Sequence, residues 1–245
     1  MFNVHEYIER RLPVQCVAHR GYSGMYPENT LLAFREAIKI GADMIEFDVR
    51  VSGDGVPVVI HDPSVDRTTN GHGLVKDLTL EELKKLDAGL GEKIPTLQET
   101  LNEVAGKIGL NIHVKVTGKV LDKVIRMLYE YDIVETAFLA IEDKDDILRI
   151  KKQYSDIHVC SLWHQTQEDY LEASKPLGVR ILQPMITSKY FSKEWIDKVH
   201  SNSIVTCVFW ANTFSEVRNI IKAGADAILT DFPTVCLKYR DVIRR

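Results

Sequence analysis

Short apolar runs recur along the chain, each separated from the next by a longer stretch. The runs are QCVAHRG, DMIEFDVRV, LNIHVKV, TAFLAIE, IHVCSLW, VRILQP, SIVTCVFWAN and DAILTDFP. Rich in valine and isoleucine, they read as strands buried on both faces, the pattern of a parallel sheet covered by helices. Between them TLLAFREAIKIG, TLQETLNEVAGKIG, VLDKVIRMLYEYD and TFSEVRNIIKAGA carry helical periodicity, and several close on a glycine where a C-cap belongs. Eight strands in 245 residues predict an α/β fold of the (β/α)8 TIM-barrel type, which takes about 250 residues. An open doubly wound sheet is the structural alternative, but no glycine-rich dinucleotide fingerprint follows the first strand. The echo between GADMIEFD and GADAILTD, each a helix-to-strand corner, reflects geometry that barrel units share.

One segment breaks the alternation. DVRVSGDGVPVVIHD reads as a strand, a Gly-Asp-Gly turn and a returning strand, and is followed by a polar, Gly- and Thr-rich stretch with a short helical pattern at LTLEELKKL. The expectation is one barrel domain over residues 1–245, with a small insertion after the second strand at about 63–95. Such an insertion belongs on the rim, close enough to the mouth to cover a substrate.

Composition narrows the partners. Hydrophobic residues make up 45% and charged residues 27%, as in a globular protein with a substantial core. The net charge of -4, without a stripe of Lys and Arg among aromatics, argues against nucleic acid. The N-terminal MFNVHEYIERRLPVQ has no apolar run long enough for a signal peptide or a membrane segment. The chain as given therefore reads as cytoplasmic, although a leader already cleaved would leave no trace in it. Cys16, Cys160, Cys207 and Cys236 are scattered, without Cys-x-x-Cys spacing, and read as buried free thiols of a reducing compartment.

A barrel of this kind carries its active site at the C-terminal ends of its strands. The first strand ends in His19 and Arg20. The second carries Glu46 and Asp48 on one face, which Arg50 continues; the hairpin after it ends in His61 and Asp62; the third brings His113 and Lys115. Two inward carboxylates repel each other in a core unless a cation or a shared proton relieves them, and a divalent metal does so economically. Oxygen ligands favour a hard ion such as Mg2+ or Ca2+. Two histidines beside it suit acid–base work near neutral pH, and Arg20 and Lys115 suit an anion, so the set reads as phosphoryl chemistry on an ester. Structural readings compete: a buried salt bridge from the carboxylates to Arg20 or Arg50, a Lys115 that merely neutralises Glu46, and Trp163 and Trp210 as packing.

The stretch HRGYSGMYPENTLLAFREAIKIGADMIEFDVRVSGDGVPVVIHDPSVDRTTNGHG, with IPTLQETL, NIHVK and FWANTFSEVRNIIKAGADAILTDFP, resembles the glycerophosphodiester phosphodiesterase family over almost the whole chain. The resemblance implies a (β/α)8 barrel that uses a divalent metal, Mg2+ or Ca2+ before others, to hydrolyse small glycerophosphodiesters to sn-glycerol 3-phosphate and an alcohol. It implies that His19 and His61 are the acid–base pair, Arg20 and Lys115 phosphate contacts, and Glu46 and Asp48 metal ligands. Glu28 of PENT and Trp210 of FWAN join the substrate-binding set, while Asn29 or Thr30 caps the first helix. In the implied mechanism one histidine deprotonates a glycerol hydroxyl that attacks phosphorus. The other protonates the leaving alcohol, and water then opens the cyclic phosphate.

The chain departs from the family pattern at three strands. Where the family has a third carboxylate ligand, in Asn-Ile-Glu-x-Lys, this chain has His113; Ala140 and Ile141 replace Ser-Phe; and Trp-Thr-x-Asn becomes Trp210-Ala211-Asn212. An imidazole donor favours Mn2+ or Zn2+ over harder ions. His113 is thus expected to ligate such an ion, to reach it through water, or to leave a metal-free site, with Glu142 as a candidate for the lost carboxylate. Alternative functions are a phosphodiesterase for a related head group or a lysophospholipid, and a non-catalytic barrel that binds phosphodiesters or phosphosugars.

Overall fold

The computed structural model of the chain describes residues 2–243. Nine strands follow the apolar runs: β1 (Gln15–His19), β2 (Met44–Val51), β3 (Pro57–Val59), β4 (Gly109–Val114), β5 (Ala137–Ile141), β6 (Val159–Ser161), β7 (Ile181–Leu182), β8 (Val205–Phe209) and β9 (Ala227–Thr230). Eight of them form a parallel sheet in the order β1-β9-β8-β7-β6-β5-β4-β2, and pairing of β1 with β2 closes it into a barrel. β3 pairs antiparallel with β2 as the returning arm of the hairpin. The (β/α)8 expectation is met.

Helices cover the outside, where Phe34, Leu101, Leu121 and Ile147 pack with the outward residues Ile45, Phe47, Leu110 and Leu139. The helix Phe214–Ala223 closes on Gly224, whose φ of +92° supplies the left-handed cap expected there. The second helical pattern ends earlier than its glycines suggest, at Val104, because Gly109 already belongs to β4. A Cβ on Gly109 would lie 2.7 Å from the Phe2 ring, so the strand begins with the one residue that lets the N-terminal segment approach.

That segment plugs the bottom of the barrel. Phe2, Val4, Tyr7 and Ile8 cluster with the inward residues Val17, Met44, Phe138, Cys160, Val205 and Ala227, and the Tyr7 hydroxyl donates to the Thr206 carbonyl at 3.0 Å. Alternation along the same strands then turns polar. Two residues beyond Val17 is His19, two and four beyond Met44 are Glu46 and Asp48, and β4 contributes Asn111 and His113. Buried Asn111 donates to Gln183 at 2.9 Å, a polar layer between the apolar plug and the mouth.

Residues 63–95 contain the helix Leu80–Lys85 and pack over a small core of Val58, Ile60, Val65, Val75, Leu83 and Ile94. All four cysteines are free and buried. Among the described residues no helix is long and apolar enough to cross a membrane.

Candidate active site

Strand register assembles the site. His19 pairs with Glu46 across β1 and β2, and Asp48 pairs with His113 across β2 and β4, so four inward side chains share the top of three adjacent strands. Past β1 the chain turns through Arg20, at φ +54°, and Gly21, whose Cβ would fall 2.7 Å from the Ala33 backbone. The turn points the Arg20 amide at Glu46 Oε2, 3.0 Å away. It also folds the guanidinium over the site, with Nε 3.5 Å from Asp48 Oδ2 and Nη1 donating to Glu28 Oε1 at 2.8 Å.

The two carboxylates divide their ionisation. Burial and then the neighbouring Asp48 push Glu46 above the usual carboxylate range. Burial would raise Asp48 as well, but His113 and Lys115 beside it hold it far below that range. Lys115 Nζ lies 3.4 Å from Asp48 Oδ1, so it is Asp48 and not Glu46 that the lysine neutralises. Arg50 donates from Nε to the His61 carbonyl at 2.7 Å, anchoring the hairpin end.

His19 and His61 each have one nitrogen committed to a carboxylate. His19 Nδ1 is 2.6 Å from Asp231 Oδ1, and its Nε2 faces Glu46 Oε2 at 3.9 Å. Asp231 is held in turn by Ser23 Oγ at 3.1 Å and Asn212 Nδ2 at 2.7 Å. Trp210, 39% exposed, sits edge-on to His19 with its Nε1 3.2 Å from Nδ1. The shorter contact, to a carboxylate, takes the Nδ1 proton. His61 Nδ1 is 2.6 Å from Asp62 Oδ1. Arg67, from the 63–95 segment, donates to Asp62 Oδ2 at 2.6 Å and to both Glu28 oxygens at 2.7 and 2.8 Å. Arg67 first, and then His61, hold Asp62 well below the usual carboxylate range.

The sequence alone does not single out Asp231 or Arg67, and it offers Asn29 only as a helix cap. Thr30 is the helix cap, accepting from the Ala33 amide at 3.3 Å, which frees Asn29, at φ +57°, to donate to Asp48 Oδ2 at 3.0 Å. Asp231 ends the last strand run, and the same strand-end rule that selected His19 and His113 points to it. Arg67 has no comparable signal.

The ligand atoms of Glu46, Asp48 and His113 lie within 4.8 Å of one another. His113 Nδ1 is 3.1 Å from Asp48 Oδ1, yet that buried oxygen has no aligned hydrogen-bond partner. An orphaned carboxylate oxygen beside an imidazole nitrogen and a second carboxylate fits a divalent cation. Glu142 does not join the cluster; its Oε1 is 3.0 Å from the other ring nitrogen, Nε2. Three cavities open at the mouth. One of about 270 Å³ is lined by His19, Arg20, Glu28, Trp210 and Asp231; one of about 260 Å³ by Arg50, Lys115 and Glu142 among others; and one of about 1200 Å³ by Glu142, Trp163, His164, Lys189 and Tyr190 among others. The first contains the convergent polar groups, and size alone does not make the third the reaction site.

A model of the glycerophosphoryl diester phosphodiesterase family matches residues 19–235. The chain is 36% identical over 238 residues to a glycerophosphodiester phosphodiesterase of Caldanaerobacter subterraneus, covering 89% of this chain and 93% of the relative. It is 31% identical over 240 residues to one from Bacillus altitudinis, covering 93% and 98%. Among solved structures, an Oleispira antarctica phosphodiesterase in complex with the product sn-glycerol-3-phosphate superposes with a TM-score of 0.83 at 27% identity, over 96% of this chain and 99% of that one. A Thermotoga maritima glycerophosphodiester phosphodiesterase gives 0.77 at 27% identity, over 96% and 99%. The matched span opens on His19, the last residue of β1, and takes in β2 to β9 and every residue of the candidate site, and the chain belongs to the glycerophosphoryl diester phosphodiesterase family.

Proposed function

We propose that this chain hydrolyses glycerophosphodiesters to sn-glycerol 3-phosphate and an alcohol, with His19 and His61 as the acid–base pair. The observation that carries the reading is that both imidazoles spend Nδ1 on a carboxylate beside the buried Glu46–Asp48 pair, leaving Nε2 of each for proton transfer. The substrate phosphate is seated against Arg20 and Lys115, whose charges are already drawn into the site by Asp48. Trp210 and Glu28 line the approach.

His61 Nε2 takes the proton of a glycerol hydroxyl as its oxygen attacks phosphorus. The bond from phosphorus to the leaving alcohol breaks, and His19 Nε2 supplies that alcohol's proton. Water then opens the cyclic phosphodiester with the two histidines in exchanged roles, so that both regain their starting protonation. Glu46, Asp48 and His113 would hold a divalent ion, whose chemistry when bound is to neutralise and polarise the phosphoryl oxygens. Two carboxylates and one imidazole place Mn2+ or Zn2+ ahead of the Mg2+ or Ca2+ that an all-carboxylate set would favour.

Metal removal tests this reading. Treatment with EDTA is expected to stop glycerophosphodiester turnover, and Mn2+ to restore it; turnover that EDTA leaves unchanged would refute metal assistance.

A further inference from the structure

We propose that Glu142 is a positioning residue: it fixes the ring of His113 so that Nδ1, and not Nε2, is offered to a divalent cation. The proposal rests on the metal-assisted reading above and concerns how this chain compensates for a histidine where its family pattern has a carboxylate.

The two ring nitrogens of His113 face different surroundings. Nδ1 looks into the cluster of Glu46 and Asp48, 3.1 Å from Asp48 Oδ1, while Nε2 looks outward to Glu142 Oε1 at 3.0 Å. Glu142 stands one residue beyond β5, the strand that pairs with β4, and register sets Ala140 against His113. Its side chain is 67% exposed, and among the described residues its one ion-pair partner is this buried imidazole. An exposed carboxylate with a single buried partner braces no other part of the rim.

The tautomer is what matters. With the proton on Nε2 and donated to Glu142, the Nδ1 lone pair is free for a cation; with the proton on Nδ1, the ring instead bonds Asp48 and closes the cluster. Carboxylates behind ligating histidines serve this purpose, and their loss weakens metal binding about 10- to 100-fold. The arrangement also restores charge. Exchange of a carboxylate ligand for an imidazole removes one negative charge, and Glu142 returns it on the far side of the ring.

A double-mutant cycle on the full-length protein tests the proposal by Mn2+ affinity, read by titration calorimetry and by the electron paramagnetic resonance of free Mn2+, without substrate. Glu142→Ala is expected to weaken Mn2+ binding about 10- to 100-fold, with the circular dichroism of the metal-free protein unchanged. In a His113→Ala background the same substitution is expected to have no further effect. Glu142→Gln, whose amide oxygen still accepts from Nε2, should recover part of the loss. An unchanged affinity in Glu142→Ala would overturn the proposal. So would an equal loss with and without His113, which would make Glu142 an independent ligand, or a wild-type protein that binds no Mn2+. Turnover is measured separately, so an intact cycle with no hydrolysis would count against the functional reading alone.

Discussion

Alanine in place of His19 or of His61 is expected to lower kcat/KM by about a hundred- to ten-thousand-fold each, the range for loss of a positioned acid or base. The two substitutions together should cost little more than either alone, because neither histidine completes the proton cycle without the other. The fold should survive. Asp231 keeps Asn212 and Ser23 when His19 is removed, and Asp62 keeps Arg67 when His61 is removed, so no buried charge is abandoned. The pH dependence adds a second reading. Burial lowers the His61 pKa below 6.5, and Asp48 and Asp62 offset only part of that shift. A base must be neutral to act, so the acidic limb of the activity is expected below the 6.5 of an unperturbed imidazole. Wild-type rates in either variant, with circular dichroism confirming the fold, would remove the assignment, and a limb above 6.5 would remove His61 as the base.

Asp231→Asn has the second largest expected effect, and its direction follows from the bonds around the carboxylate. Asn212 Nδ2 donates to Oδ2, so the amide oxygen of the substituted side chain must occupy that position. The amide nitrogen then faces His19 Nδ1 as a donor, and Nδ1 can only accept. The imidazole proton is driven to Nε2, the wrong tautomer for the returning step, in which His19 must take a proton. The same change behind another catalytic histidine costs about ten-thousand-fold, and a loss of at least a hundredfold is expected here. The 15N shifts of the His19 ring report the tautomer directly. A normal rate, or a ring still protonated at Nδ1, would contradict the role given to Asp231.

The barrel was legible because its strands are buried on both faces and so read as continuous apolar runs. The inward set was legible for a related reason, since period-two alternation carries Val17 to His19 and Met44 to Asp48 without a change of face. What escaped the sequence is what depends on distant partners. Asp231 meets His19 across 212 positions, and Arg67 reaches Glu28 across 39 from a segment with no strand register to place it. Asn29 was read as a possible cap, and only the fold shows its amide turned to Asp48 while Thr30 takes the helix end. His113 lies between these cases. Its position on the inner face follows from alternation, but the direction of each ring nitrogen depends on Glu142 at the end of a neighbouring strand.

The central claim is hydrolysis of a glycerophosphodiester at the bond that leaves phosphate on glycerol. Its most direct test is a 31P NMR time course of the Mn2+-loaded protein with glycerophosphocholine, run beside His19→Ala. The account predicts that the diester signal gives way to sn-glycerol 3-phosphate, with free choline released and no conversion in the variant. Formation of phosphocholine, or an unchanged diester with every divalent ion while the substrate merely raises the Tm, would contradict it.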